Sequence, residues 1–172
     1  LNLLDSLFET MAGFTGMGGT VFHDFNVMSH SLLVWRSLSL WVGGLGIIVI
    51  FVALLPQTSQ SALHLYQAET SRISAGRRRP RLRDTALAMF KLYLGLTCVA
   101  FIVYWLIGMT PFAAANHALT TISAGGVSIY NESIAYYDSA IVEITVVFFM
   151  ILAGGNFGLY YAAMQSGWRL LF

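Results

Sequence analysis

Residues 3–20 read LLDSLFETMAGFTGMGGT, and residues 113–127 read AAANHALTTISAGGV. Each stretch opens with a short segment of helical character and ends in a turn that contains glycine. Glycine often marks the end of regular structure. In each copy a polar stretch and then an uncharged apolar segment follow. Aligning Gly18 with Gly125 sets the copies 107 positions apart. This matched order predicts an internal repeat of short helix, glycine-rich loop and long helix.

The composition is that of a membrane protein. Hydrophobic residues make up 57% of the 172 residues and charged residues only 10%, whereas soluble domains carry about 25% charged residues. A soluble core of this size cannot bury so much apolar surface, so we expect lipid to cover the excess. The net charge of +1 gives no indication of nucleic-acid binding. The single cysteine, Cys98, excludes an internal disulfide, and the sequence has no Cys/His cluster with metal-ligand spacing.

Three uncharged segments are each about as long as the roughly 20 helical residues that cross a bilayer. These predicted spans are residues 37–55, 92–109 and 144–164. The segment 110–130 is instead rich in Ala, Thr, Ser and Gly, and a fourth full span there would move Arg169 to the outer side. We therefore expect it to be re-entrant, with Pro111 starting a short helix. Non-helical backbone at membrane depth is tolerated only where it lines a wet cavity or is buried in protein. A re-entrant loop is therefore itself an indication of a functional site.

The distribution of charge predicts the orientation. Eight of the nine basic residues fall between the first two spans or after the third, and short loops rich in Lys and Arg stay in the cytoplasm. We therefore predict a multi-pass protein of the inner (plasma) membrane, with the basic loop 72–91 and the C-terminus cytoplasmic. Six of the acidic residues collect on the outer side. The electric field of these acidic residues would attract cations to the outer face. Alternatively, their position is only a consequence of the membrane topology.

The glycines divide into two predicted groups. Gly18 and Gly125 each follow a short re-entrant helix, where glycine permits a positive φ and lets carbonyl oxygens turn toward an axis. Rings of such carbonyls replace the hydration shell of an ion, and the negative C-terminal ends of helices favour a cation. The pairs at 43–44 and 154–155 lie inside predicted spans, where we expect glycine to allow close helix packing.

Several stretches together resemble a known family. These are FETMAGFTGMGGT (8–20), LLVWRSLSLWVGGLGIIV (32–49), RPRLRDTALAMFKLYLGLT (79–97), ALTTISAGGVSIYNESIAYYDSAIVE (118–143) and ILAGGNFGLYY (151–161). They are similar to the pore repeats of the Trk/Ktr/HKT potassium transporter superfamily, in particular its TrkH type. The resemblance covers nearly the whole chain.

The resemblance implies potassium transport through four non-identical repeats around one pore, with K⁺ as the transported ligand, no covalent cofactor and no enzymatic activity. It also implies a homodimer in the lipid bilayer and a cytoplasmic regulatory subunit that binds nucleotides. This chain carries only about one and three-quarter repeats, so we expect it to be a piece of a longer protein that supplies the remaining repeats. The implied filter residues, which would bind the ion through their carbonyls, are Thr15, Gly16, Met17, Gly18, Ile122, Ser123, Ala124 and Gly125.

We therefore predict an all-α membrane protein with three transmembrane helices and two re-entrant pore helices. The predicted organisation is a first pore repeat at 1–56, a cytoplasmic basic connection at 57–85 and a second pore repeat at 86–172. Glu9 and Arg36 either pair and brace the first pore helix or remain independent interfacial charges. One alternative function is a non-conducting membrane scaffold subunit. An intramembrane hydrolase is less favoured, because the three uncharged spans contain no Asp, Glu or His.

Overall fold

The computed structural model describes residues 2–25, 27–46, 82–155, 157 and 160. Among these residues no strand occurs and every regular element is a helix, which confirms the predicted all-α class. The elements are α1 (Leu3–Thr15), α2 (30–46), α3 (Leu82–Leu106), α4 (Pro111–Ile122), a 3₁₀ helix (Ser133–Tyr137) and α5 (Ala140–Gly154). Most of the predicted basic connection, Arg169 and the second half of the first predicted span lie outside the described residues.

The two short helices begin where local sequence signals predict. The backbone N–H of Asn2 donates to Oδ2 of Asp5 at 3.0 Å at the start of α1. Pro111 is the first residue of α4, where its missing N–H costs nothing. The hydroxyl of Thr110 accepts a hydrogen bond from the Ala113 N–H at 3.3 Å, which satisfies one of the free donors at the helix start.

Among the described residues, α3 contains the one helical segment long and apolar enough to cross a membrane, at residues 86–106. Its exposed residues include Val99, Ile102 and Trp105. The helix ends at Leu106 rather than at residue 109, where the predicted span ended. Gly108 has a φ of +107°, a conformation that terminates a helix readily at glycine.

The third predicted span, 144–164, falls on helix α5 and extends beyond it into residues that mostly lie outside the described part of the chain. Helix α5 begins earlier, at Ala140, and it ends at Gly154. Gly155 is extended, with φ −70° and ψ 163°. Two consecutive glycines explain the early end, because each disfavours a helix interior by about 1 kcal/mol relative to alanine.

Helix α4 lies at the centre of the packed residues, against both α3 and α5. Eight of its twelve residues are buried, and Ala113, Ala114 and Ala118 are fully so. Their small side chains allow neighbouring backbones to approach closely. Helix α4 is therefore enclosed by protein, the condition under which a short helix and an irregular loop are tolerated at membrane depth.

Candidate functional site

The first predicted filter loop begins with a left-handed residue at the end of α1. Gly16 has a φ of +69°, and its N–H donates to the Gly13 carbonyl at 3.2 Å. The N–H of Met17 reaches further back, to the Ala12 carbonyl at 3.2 Å. These two bonds form a Schellman motif, which satisfies carbonyls that the helix end leaves free. Gly18 is left-handed again, with a φ of +72°.

The second predicted filter loop repeats this backbone at the end of α4. Ala124 has a φ of 56°, and its N–H donates to the Thr121 carbonyl at 3.0 Å. The N–H of Gly125 donates to the Thr120 carbonyl, also at 3.0 Å. Gly126 is the next left-handed residue, with a φ of +64°. Both short helices therefore end in the same motif and are followed by the same alternation of backbone conformation.

A side-chain turn continues the match beyond the left-handed residues. In the first loop the N–H of Phe22 donates to the Thr20 hydroxyl at 3.0 Å. In the second loop the N–H of Tyr130 donates to the Ser128 hydroxyl at 3.1 Å. Hydroxyl side chains commonly organise loop backbone in this way. The matched stretches 16–22 and 124–130 therefore share two left-handed residues, the hydrogen bonds of the helix end and a side-chain turn.

The conformational match corrects the register of the repeat within the loops. Equivalent residues lie 108 positions apart, so Gly18 corresponds to Gly126 and Met17 to Gly125. Sequence alignment instead paired Gly18 with Gly125, which is one residue out. The difference arises because the second helix end places Ala124 in a left-handed conformation that favours glycine, and the sequence does not indicate it.

The two loops meet in space although they are far apart along the chain. A Cβ atom built on Gly18 would lie 2.8 Å from the carbonyl oxygen of Gly125 and 3.7 Å from the Val127 side chain. Only glycine can occupy a position so close to another backbone. Because each loop directly follows a helix, α1 and α4 bring their C-terminal ends, which carry partial negative charge, to the same region.

The remaining predicted filter residues surround this meeting point. Thr15 is the last residue of α1, and its hydroxyl donates to the Met11 carbonyl at 2.7 Å. The side chain of Ile122 is buried in the core, and the Ser123 hydroxyl donates to the Thr120 carbonyl at 3.1 Å. With these side chains engaged locally, the groups that such a loop offers to an ion are its backbone carbonyls.

Glu9 and Arg36, whose pairing the sequence leaves open, form an ion pair with 2.8 Å between Arg36 Nε and Glu9 Oε1. Their side chains are 13% and 8% exposed. The same carboxylate accepts hydrogen bonds from the Thr20 hydroxyl and the Val21 N–H, each at 3.1 Å. Glu9 thus ties α1, α2 and the first loop together, and the short charge-assisted contacts make this a strong set of bonds.

A second brace joins α2 to α4 and was not predicted from the sequence. The hydroxyl of Ser37 donates to Oδ1 of Asn116 at 2.8 Å, and both residues are buried. In the register of 108 that the two helix ends share, the residue of α4 equivalent to Glu9 is His117, and Asn116 is its neighbour. No sequence signal indicated the role of Asn116.

The glycine pair of α2 packs against the ends of both short helices, as its predicted packing role requires. A Cβ on Gly43 would overlap the Phe14 carbonyl at the end of α1. A Cβ on Gly44 would lie 2.7 Å from the Tyr93 hydroxyl and 3.2 Å from Ser123 Cα, beyond the end of α4. No atom of the described residues lies within 4 Å of a Cβ built on Gly154.

The outer stretches of the two repeats are also linked. The side-chain amide of Asn131 donates to Oδ1 of Asp24 at 2.9 Å. The Phe25 N–H donates to Oδ1 of Asn131, also at 2.9 Å. Asn131 therefore bridges two adjacent residues of the first repeat, and this clasp connects the segments that follow the two loops.

His117 is a buried titratable group that precedes the second loop along the chain. It lies on α4, which does not extend far enough to cross a membrane, with ring contacts to Tyr130 and Tyr137. Burial lowers the pKa of its imidazole to about 4, because desolvation disfavours the charged form. The side chain is therefore neutral near pH 7 and adds no positive charge beside the loop.

The comparisons with known proteins agree on one family. A family model described as TrkH, cation transport protein, matches residues 1–166. The chain is 36% identical over 168 residues to "Trk system potassium uptake protein TrkH" of Vibrio parahaemolyticus, covering 97% of this chain and 35% of that protein. It is 37% identical over 168 residues to "Trk system potassium uptake protein TrkG" of Escherichia coli, covering 96% and 34%. The chain thus spans about a third of the length of these relatives.

A solved structure shares the fold. The crystal structure of the potassium transporter TrkH from Vibrio parahaemolyticus matches with a TM-score of 0.80 and 34% sequence identity. The match covers 97% of this chain and 32% of that one.

Proposed function

This chain belongs to the TrkH family of cation transport proteins, and we propose that it forms two of the pore repeats of a Trk-type potassium uptake protein. The observation that carries the proposal is the contact between the two loops. Two helices end in the same motif, and the Gly18 backbone lies against the Gly125 carbonyl oxygen. Relatives named as Trk system potassium uptake proteins support K⁺ as the ion.

In the proposed mechanism, K⁺ sheds water and is held by backbone carbonyls from both loops. Alternating left-handed residues, at 16 and 18 in the first loop and at 124 and 126 in the second, allow successive carbonyls to reorient. The negative helix ends favour a cation there over an anion. Further repeats of the full-length protein would complete the ring of carbonyls.

Selectivity of this kind requires a backbone that stays in place. The Glu9 carboxylate holds the first loop through Thr20 and Val21. Ser37 and Asn116 hold the second short helix against α2. We infer that these residues position the filter and do not bind the ion. Residues around a functional site commonly hold its groups in place through packing and hydrogen bonds.

Membership of the same family supports a proposal for the location, oligomeric state and partner subunit of the protein. We propose a multi-pass protein of the inner membrane, with the loop 72–91 and the C-terminus in the cytoplasm. We also propose a homodimer and a cytoplasmic nucleotide-binding subunit that regulates it. The exposed acidic side chains Asp24, Glu132 and Asp138 would then face outward and raise the local concentration of cations.

Ion uptake by the full-length protein tests the proposal. In a host that lacks its own potassium systems, Gly18→Ser should reduce the preference for Rb⁺ over Na⁺ by about tenfold, equivalent to about 1.4 kcal/mol of relative ion stabilisation. A side chain at this left-handed position would press on the Gly125 carbonyl. The substitution strains a loop and not the interior of a helix, so we expect the protein to remain abundant enough for selectivity to be measured relative to its amount.

Gly95→Ser is the matched control, because no atom of the described residues lies within 4 Å of a Cβ built on Gly95. We expect it to retain the full preference for Rb⁺. Unchanged selectivity in an abundant Gly18→Ser protein would refute the filter assignment. If the wild-type full-length protein took up neither ion in the presence of its partner subunits, the non-conducting scaffold would be the better interpretation.

A further inference from the structure

A cavity of about 210 Å³ lies behind the second loop, between α4, the 3₁₀ helix and α5. Its lining is polar on the side of α4 and the loop, where His117, Thr120, Thr121 and Ser128 contribute. Val146 and Met150 of α5 close the opposite side. The volume exceeds the roughly 30 Å³ that one water molecule occupies in the liquid, so several would fit.

His117 contributes a polar atom whose hydrogen bonding is incomplete. Its side chain is only 2% exposed, and Nε2 has no hydrogen-bond partner among the described residues. Leaving such a group unpaired costs about 1–3 kcal/mol, so buried polar atoms in native proteins nearly always have a partner. The neighbouring rings of Tyr130 and Tyr137 lie with centroids 6.2 and 6.1 Å from the imidazole centroid.

The first repeat shows what a loop of this conformation uses for support. There the Glu9 carboxylate accepts hydrogen bonds from the Thr20 hydroxyl and the Val21 N–H. In the register of 108 that the helix ends share, His117 holds the equivalent place on α4. An imidazole therefore stands at the position where the first repeat has a carboxylate for its loop, and the neighbouring Asn116 is engaged with Ser37 of α2.

We propose that ordered water fills this cavity, hydrogen-bonds His117 Nε2 and the neighbouring hydroxyls, and supports the second loop as the Glu9 carboxylate supports the first. The site is roomy and has the two to four polar partners that a buried water needs. His117 is then a positioning residue that acts on the loop through water. Its effect on ion preference rests on the proposed function, whereas the presence of water does not.

Radiolytic hydroxyl-radical labelling of the full-length protein in nanodiscs tests for the water directly, because radicals form from water molecules beside the side chain. His117 should be modified at a rate comparable to that of His23, which is exposed, because water beside a buried side chain generates radicals at that side chain. Tyr93, which is 1% exposed and bonded to the Trp41 carbonyl, serves as the dry control. Protection of His117 to the level of Tyr93 would overturn the proposal.

Substitution tests the positioning role. His117→Leu should lower the preference for Rb⁺ over Na⁺ by about fivefold, the factor that corresponds to one net hydrogen bond. His117→Gln keeps a polar group that can reach the water, so it should restore most of the preference. His23→Leu makes the same substitution at an exposed site and should have no effect.

The outcomes separate this inference from the proposed function. Labelled His117 with no ion uptake by the wild-type protein would leave the water site standing and reject the transport role. Equal selectivity in abundant His117→Leu and wild-type proteins would reject the positioning role. If His117→Leu fails to accumulate, the Gln variant decides: loss of selectivity in an abundant His117→Gln protein would reject the positioning role. The water site is decided separately, by the labelling of His117 in the wild-type protein.

Discussion

Ala124 adopts a left-handed conformation with a φ of 56° at the end of α4, where the equivalent residue at the end of α1 is Gly16. For a residue with a Cβ atom this conformation costs about 1–2 kcal/mol. The strained residue sits next to Gly125, whose carbonyl faces the first loop. Strain of this kind often occurs beside functional positions, held by the surrounding structure.

The two equivalent positions make a reciprocal prediction. Ala124→Gly should stabilise the full-length protein by about 1 kcal/mol, because glycine adopts this conformation without penalty. Gly16→Ala should destabilise it by a similar amount. Thermal unfolding in detergent measures both. No stabilisation by Ala124→Gly, or no destabilisation by Gly16→Ala, would mean that the two helix ends differ in conformation.

The ion pair between Glu9 and Arg36 makes a second residue-scale prediction. Removing one partner of a mostly buried pair leaves an uncompensated charge or an unfilled site, at a cost of about 3–5 kcal/mol. Glu9→Gln and Arg36→Gln should therefore each impair stability and ion uptake. The double variant should be no worse than the more severe single variant, because the lost interaction is the same.

A double-mutant cycle on unfolding and on Rb⁺ uptake measures this coupling. Asp138→Asn serves as a charge-removal control, since Asp138 is exposed on the outer stretch. Purely additive losses for Glu9→Gln and Arg36→Gln would show that the two residues act separately, despite the 2.8 Å contact.

At the scale of the elements, α2 is the helix that holds both short helices in place. Arg36 and Gly43 contact α1 and its loop, while Ser37 and Gly44 contact α4 and the residue beyond its end. In each pair the residues lie seven positions apart, about two helical turns, so they share a face. A displacement of α2 would consequently move both loops together.

The glycine contacts of α2 predict a position-specific effect of one methyl group. Gly43→Ala should lower the free energy of unfolding of the full-length protein by about 1–3 kcal/mol or more, the usual cost of overpacking, because its Cβ would overlap the Phe14 carbonyl. The abundance of the protein should fall with it. Gly46→Ala, in the same helix, meets no atom of the described residues within 4 Å and should be neutral or slightly stabilising. Equal behaviour of the two variants would contradict the packing role.

On the scale of the whole molecule, the two repeats are connected at several depths. The Trp41 indole N–H donates to the Thr97 hydroxyl at 3.0 Å, and the Tyr93 hydroxyl donates to the Trp41 carbonyl at 3.1 Å. Toward the outer stretches, Asn131 bonds to Asp24. Contacts between α2 and α3 thus reinforce the meeting of the two loops, and the site depends on the repeats being assembled together.

The proposed orientation in the membrane predicts which segments reagents can reach. In a full-length protein whose native cysteines, including Cys98, are replaced by serine, Arg78→Cys should react with an impermeant thiol reagent only from the cytoplasmic side. Glu132→Cys should react only from outside. The physical reason is that basic loops are retained in the cytoplasm. Labelling of residue 78 from outside would reverse the arrangement.

Local chemistry explains the features that could be predicted from the sequence. A 57% hydrophobic composition with 10% charged residues indicates a membrane protein whatever its contacts are. The start of α4 at Pro111 and the left-handed glycines after α1 follow from the φ preferences of proline and glycine. The repeat was visible because both copies use the same short-range signals.

Features that depend on residues distant along the chain were left open by the sequence or were not predicted from it. The Glu9–Arg36 pair, the Ser37–Asn116 bond and the contact of Gly18 with the Gly125 carbonyl join separate elements. The register of 108 between the two loops also became visible only in the three-dimensional structure, because Ala124 takes a conformation that its own side chain disfavours. Packing of α4 against its neighbours outweighs that local preference, and sequence patterns record local preferences better than the contacts that override them.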